Sequence, residues 1–150
     1  MSYRNLRQCV TDLEKNKHLI RIDVEVDPHL EAAAIHRRVF QANGPAIFFT
    51  NVKNSKFPMV SNLFGNIARA KFIFRHQLAT VEAMVACKAN PEKVMRNPLL
   101  WPKLFSGLWN SLPRIVNKGP LLENQTLISK LPQLVCWPKD GGAFVTLPQV

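Results

Sequence analysis

An α+β (α/β) fold is what the sequence predicts, and three observations carry it. Helical and strand periods alternate over roughly the first ninety residues. The changes of period coincide with breakers at Asp27-Pro28, Gly44-Pro45 and Gly65. Past residue 120 the helical period gives way to short strand-like runs around Gly141-Gly142. A chain of 150 residues can build a real core, because a chain of this size hides about 70% of its unfolded surface on folding. Hydrophobic residues at 47% and charged residues at 20% fall in the globular range and argue against wholesale disorder.

From Tyr3 to Lys17, Leu6, Val10 and Leu13 recur at helical spacing with charged residues opposite, which predicts a first helix. LIRIDVEV, residues 19 to 26, alternates Ile20, Ile22, Val24 and Val26 with Arg21, Asp23 and Glu25, the period of a half-buried strand. A second helix is expected to open at VDPHLE. There Asp27 caps free N–H groups, Pro28 suits the first helical position and Glu31 complements the positive helix end. Ala32, Ile35 and Val39 form its apolar face, and it is expected to close at NGP with Gly44 in the left-handed conformation. AIFFTNV (46–52) reads as a buried strand and FPMVSNLFG (57–65) as a short extended piece.

A long helix is predicted from Asn66, as cap, to about Lys88, because Ile67, Ala70, Phe74, Leu78, Val81 and Val85 step by three and four. Asn90-Pro91 and Asn97-Pro98 each place a capping side chain before a first-turn proline, so two short helices are expected there. Residues 99–116 carry a broad stripe of Trp101, Leu104, Phe105, Leu108, Trp109, Leu112 and Ile115, interrupted by Pro102 and Pro113. Gln125 to Ile128 and Ala143 to Leu147 are strand candidates.

The formal net charge is +10, and the surplus lies downstream. Residues 1–31 hold six acids and five bases, against four acids and 15 bases in the other 119 residues. Such an excess attracts anionic lipid, nucleic acid or an anionic substrate, or serves as a solvated surface. Nucleic acid is not an expected partner, since the bases are scattered and no binding module is visible. Cys9, Cys87 and Cys136 are too widely spaced for a zinc or C-x-x-C signature and read as buried reduced thiols. MSYRNLRQCVTD lacks the apolar core of a secretory signal, and no apolar run approaches the ~20 residues of a membrane span. A cytoplasmic location is the expectation.

Catalytic patterns are missing. His18, His29, His36 and His76 form no H-E-x-x-H pair. His29 and His36, seven apart, share a helix face in this reading and make at most a weak metal or acid–base pair. There is no G-x-G-x-x-G, P-loop or G-x-S-x-G elbow, and Gly141-Gly142 reads as a turn between strands. The 98–118 segment, with Lys103, Arg114 and Lys118 around its aromatic face, suits either a bilayer interface or packing against another helix or domain.

YRNLRQCVTDLEKNKHLIRIDVEVDPHLE, NGPAIFFTNVKNSKFPMVSNLFG and ISKLPQLVCWPKDGGAFVTLPQV, in that order, resemble stretches of the UbiD family of carboxy-lyases and cover about half of the chain. The resemblance implies an enzyme that removes CO2 from aromatic or α,β-unsaturated acids without net oxidation, as in ubiquinone or menaquinone synthesis. It implies prenylated FMN as cofactor, with Mn2+ and K+, and a homo-oligomer acting on a small aryl or enoic acid. The alternation over about ninety residues and the change of composition near residue 120 divide the chain into an α/β domain (1–90), a helical connector (91–120) and a last part (121–150), which the resemblance implies to be the first strands of a split β-barrel flavin-binding domain.

The family's metal, flavin and catalytic motifs lie beyond the matched stretches, so no catalytic, cofactor-binding or metal-binding residue is assigned in this chain. The expectation is an amino-terminal fragment, inactive alone. The alternative is a non-catalytic interaction module, peripheral at the membrane through residues 99–116.

Overall fold

Strands survive in the middle of this chain because both faces of the backbone there have something apolar to meet. In the computed structural model, which describes residues 3–92, 96–113, 115, 123 and 125–145, the elements run as follows. α1 (Leu6–Lys15) precedes β1 (Leu19–Ile22), α2 (Glu31–Gln41), β2 (Ala46–Phe49) and β3 (Met59–Ser61). α3 (Ile67–Ile73), α4 (Leu78–Ala89) and α5 (Trp101–Ser111) follow. The described residues fall into two compact units, one of residues 3–73 with 125–145 and the other of those from 74 to 123.

In the first unit the sheet order is β1-β2-β3. β1 pairs parallel to β2, with Leu19 opposite Ala46 and Ile22 opposite Phe49. β3 runs antiparallel to β2, with Phe49 opposite Met59. A parallel pair needs a crossover, and α2 supplies it. Alternation along β2 then divides the core. Ala46 joins Cys9, Val10, Leu13, Leu19 and Ile73 on the α1 and α3 face, with Phe48 packed against them. Ile47 and Phe49 join Val26, Ala32 and Val52 on the α2 face, where Ile35 and Val39 complete the predicted stripe. The result is an α/β layer covered on both sides, the α+β class expected.

Several expectations shift once packing is considered. β1 is shorter than 19–26: Thr50 Oγ1 donates to Ile22 O and Asp23 Oδ1 where the strands part. Val24 is exposed and Val26 returns to the core through a bridge to Val52. Ile20 is 45% exposed while Leu19 is buried, because the sheet is covered on two faces and position along the edge strand decides burial. Leu6 is exposed, and Asn5 caps α1 by accepting from Gln8 N–H at 2.9 Å.

α1 and α2 end alike. Lys17 and Asn43 take positive φ (61° and 52°), and the following His18 and Gly44 N–H groups donate back to Leu13 and Val39 carbonyls. The left-handed residue after α2 is therefore Asn43, not Gly44. Gly44 is required for closeness: a Cβ there would lie 2.8 Å from Val39 Cγ1.

The long helix is two helices, broken by a turn at residues 74–77 in which Gln77 and Leu78 N–H both donate to Phe74 O. α3 belongs to the first unit, where Arg69 and Ile73 are buried, and α4 belongs to the second. The expected stripe is largely exposed, with Ile67 at 77% and Val85 at 62%. Asn66 does cap α3, accepting from Ala68 and Arg69 N–H.

In the second unit, Pro91 and Glu92 are helical and residues 93–95 lie outside the described residues. Asn97 accepts from Leu99 N–H and opens a 3-10 turn, Pro98–Leu100, that runs into α5. Pro102 sits in the first turn of α5, where its missing N–H costs nothing, and the helix stops before Pro113. α4 and α5 meet at Gly107, where a Cβ would lie 2.8 Å from Met84 Sδ and 2.9 Å from Thr80 Cγ2.

Gln125–Ile128 is not a strand; Ile128–Lys130 form a 3-10 turn. Residues 134–144 instead fold as a small hairpin, Leu134 and Phe144 exchanging hydrogen bonds at 2.7 and 2.9 Å around the bend at Gly141-Gly142. The rest of the Ala143–Leu147 candidate lies outside the described residues.

Candidate functional site

The polar groups that the fold buries are the first place to look for chemistry. Arg69 is 3% exposed and Asn62 7%. The guanidinium donates through Nε to Leu63 O at 3.0 Å, through Nη1 to Gly44 O at 3.0 Å and through Nη2 to Asn62 O at 2.6 Å. Asn62, at φ 58°, adds Nδ2 bonds to Gly44 O and Pro45 O. Burial pushes the Arg69 pKa down, and the guanidinium remains charged because its ordinary value is so high. Three of its five N–H donors go to backbone carbonyls, so the knot ties the turn after α2 to the β3–α3 connection. Asn62 Oδ1 is buried without a partner, beside Gly65, where a Cβ would lie 1.8 Å from it.

Arg69 was invisible as a buried group in the sequence. The one signal was its place among the apolar residues Ile67 to Ile73, a run that it shares with a second base, Lys71.

His36 Nδ1 and Ser61 Oγ are 2.5 Å apart, joining α2 to β3, and the imidazole stacks on Phe40 with centroids 6.2 Å apart. His29 precedes α2 and bridges to Val135, so the two histidines do not share a helix face. His18 packs on the Phe72 ring at 4.6 Å, and His76 is exposed in the turn after α3. Among the described residues no group of three His, Cys, Asp or Glu side chains stands at metal-holding distance. Cys9 and Cys136 are buried and in no disulfide, as expected, but Cys87 is only partly buried. Burial pushes the Cys136 thiol pKa up, Asp140 adds to this, and Arg37 opposes it.

Among the described residues two ion pairs lie on the surface, Arg21–Glu14 at 2.9 Å and Lys53–Asp27 at 2.7 Å. Hydrogen bonding from Arg21 holds Glu14 below its usual range, and Lys53 followed by the His29 N–H does the same for Asp27. Arg21 also lies over the Phe48 ring, 5.1 Å from its centroid. One surface recess is lined by Arg7, Gln8, Thr11, Asp12 and Lys15, and another by residues 89–92 with Arg96. Each is lined from one stretch of chain and gathers no groups from several elements, as a cofactor cleft does. The described residues therefore do not fit a flavin with its metal: no donor cluster is present, and Gly141 and Gly142 face open space.

The most exposed apolar surface is on α5 and the residues beside it. Trp101 is 45% exposed, Phe105 67%, Trp109 69% and Ile115 96%, with Leu108 and Leu112 between them. Lys103 projects from the opposite side of the helix, by the 100° step per residue. Arg114, Val116 and Lys118 lie outside the described residues. No helix among the described residues is long and apolar enough to cross a membrane.

A three-stranded mixed sheet between helices, with the buried Arg69 guanidinium bonded to backbone carbonyls, defines an α/β domain. Residues 10–88 match the 3-octaprenyl-4-hydroxybenzoate carboxy-lyase N-terminal domain family, UbiD, and the chain belongs to that family. It is 38% identical over 151 residues to an uncharacterized protein of Chlamydia trachomatis, covering 97% of this chain and 26% of that protein. It is 37% identical over 158 residues to a 4-hydroxybenzoate decarboxylase subunit of Chlamydia pneumoniae, and the match takes in 97% of this chain and 25% of that protein. Among solved structures, the closed form of vanillic acid decarboxylase from Sedimentibacter hydroxybenzoicus shares the fold. Its TM-score is 0.67 at 21% identity, over 95% of this chain and 29% of that one. The chain thus spans about a quarter of the length of the curated relatives it matches.

Proposed function

We propose that this chain is the amino-terminal part of a UbiD-type non-oxidative decarboxylase acting on aromatic or α,β-unsaturated carboxylic acids. The observation that carries the reading is the family match over residues 10–88, together with 37% identity to the 4-hydroxybenzoate decarboxylase protein of Chlamydia pneumoniae. In this reading prenylated FMN, Mn2+ and K+ belong to segments of the longer protein. A role in quinone biosynthesis, a cytoplasmic location and homo-oligomeric assembly are part of the same proposal, as is the division at residues 90 and 120. The compact units are defined by contacts within this chain, whereas those domains are defined by the longer protein.

The chain alone is expected to be inactive. Its test is CO2 release from an aryl carboxylate with prenylated FMN and manganese present. No steady release is expected from the 150 residues, and release is expected once the length found in the relatives is joined to them. Steady release by the short chain overturns its inactivity; none from the long chain overturns the decarboxylase reading.

A second reading is favoured by one observation, the exposure of Trp101, Phe105, Leu108, Trp109, Leu112 and Ile115. Here residues 99–116 lie on a membrane surface, each Lys or Arg near anionic lipid adding about 1 kcal/mol. Flotation with phosphatidylserine vesicles tests it. Co-flotation that is lost in the double variant Trp101→Ala, Trp109→Ala supports the surface, and no flotation of the parent chain removes it.

A further inference from the structure

α2 starts later than its sequence directs, and the backbone of the missing turn is bound elsewhere. Asp27 already caps: its Oδ1 accepts from His29 N–H at 2.8 Å, and Glu31 Oε2 accepts from Asp27 N–H at 2.7 Å. With Pro28 next, a regular helix would run on from there, Pro28 O accepting from Ala32 N–H. Instead Pro28 O accepts from Val135 N–H at 3.3 Å, and Ala32 N–H turns to Asp27 O at 3.1 Å. Leu30 N–H donates to Val135 O at 2.8 Å, and Leu30 sits at φ 68°, a left-handed conformation that a leucine rarely adopts. Leu134 packs with the α2-side core, Cys136 is buried, and Ser55 Oγ donates to Lys130 O at 3.0 Å.

We propose that residues 28–30 form a two-position switch operated by the strap 130–136. With the strap docked they are the strained bridge seen here. With the strap withdrawn they become the first turn of α2, because both positions compete for the Pro28 carbonyl and only the capping bonds are common to them. Withdrawal lengthens α2 by about one turn and carries His29 onto the helix that holds His36, two turns away. The strap leads onward in sequence, so whatever follows it is coupled to the start of α2. The inference is independent of the decarboxylase reading.

Val135→Pro removes the N–H that holds Pro28 O. In the 150-residue chain the carbonyl and Cα carbon shifts of residues 28–30 are expected to move to helical values, with loss of slow amide exchange at Leu30. Leu30→Gly pulls the other way, since glycine takes positive φ without strain, and amide protection at position 30 is expected to rise above that of the parent. Non-helical shifts at 28–30 in a folded Val135→Pro chain overturn the switch. So does protection in Leu30→Gly that is unchanged or lower, which decides the matter if Val135→Pro does not fold.

Discussion

Arg69 shows how one side chain substitutes for secondary structure. The carbonyls of Gly44, Asn62 and Leu63 point into the protein where no strand or helix can use them, and a buried carbonyl without a donor costs free energy. A rigid planar fork reaches all three, which the single ammonium of lysine does not. Arg69→Met is therefore expected to destabilise the chain by about 3 kcal/mol or more in urea titration, from the loss of hydrogen bonds to a charged donor. Arg69→Lys is expected to restore little of it. Gly65→Ala is expected to cost about 1–3 kcal/mol by overpacking, because Asn62 is held by its amide and cannot step aside. A loss from Arg69→Met within the ordinary surface range would show that the three carbonyls find water instead.

Elements here are joined by charge as well as by packing. Asp27, at the end of the extended segment before α2, accepts from Lys53 Nζ in the β2–β3 connection. Its folded pKa lies below the unfolded one, so the unfolded chain binds the proton more readily. The stabilisation from this pair is complete above the unfolded pKa and is lost as pH falls through the folded pKa. The pair is exposed to solvent and screened by salt, which keeps its contribution small. The parent chain is expected to have a higher urea midpoint than Asp27→Asn at neutral pH and low salt. That difference should vanish below the ordinary aspartate range, and one that grew on acidification would contradict the assignment. α1 and α2 were legible from Leu13, Ala32, Ile35 and Val39 because a face that meets a sheet writes its period into the sequence. The 66–88 stripe misled because the same period fits two short helices serving two units.

At the scale of the molecule, the two units differ in what they finish. The first buries Phe49, Leu13 and Ile47 completely, each contributing about 1.5–3 kcal/mol of hydrophobic stabilisation. The second leaves Trp101, Phe105 and Trp109 on its surface, in a chain that spans about a quarter of its relatives' length. By itself the sequence determined the α+β class, the strand at Ala46, the caps at Asn66 and Asn97, and the family, since these rest on local period, backbone preference and motif order. Only the tertiary structure decided that Arg69 is buried, that Asn43 rather than Gly44 turns left-handed, and that Pro28 to Leu30 leave α2 for Val135. Each of those outcomes is a competition for a backbone donor or acceptor between residues far apart in the chain. No local pattern records which distant partner arrives.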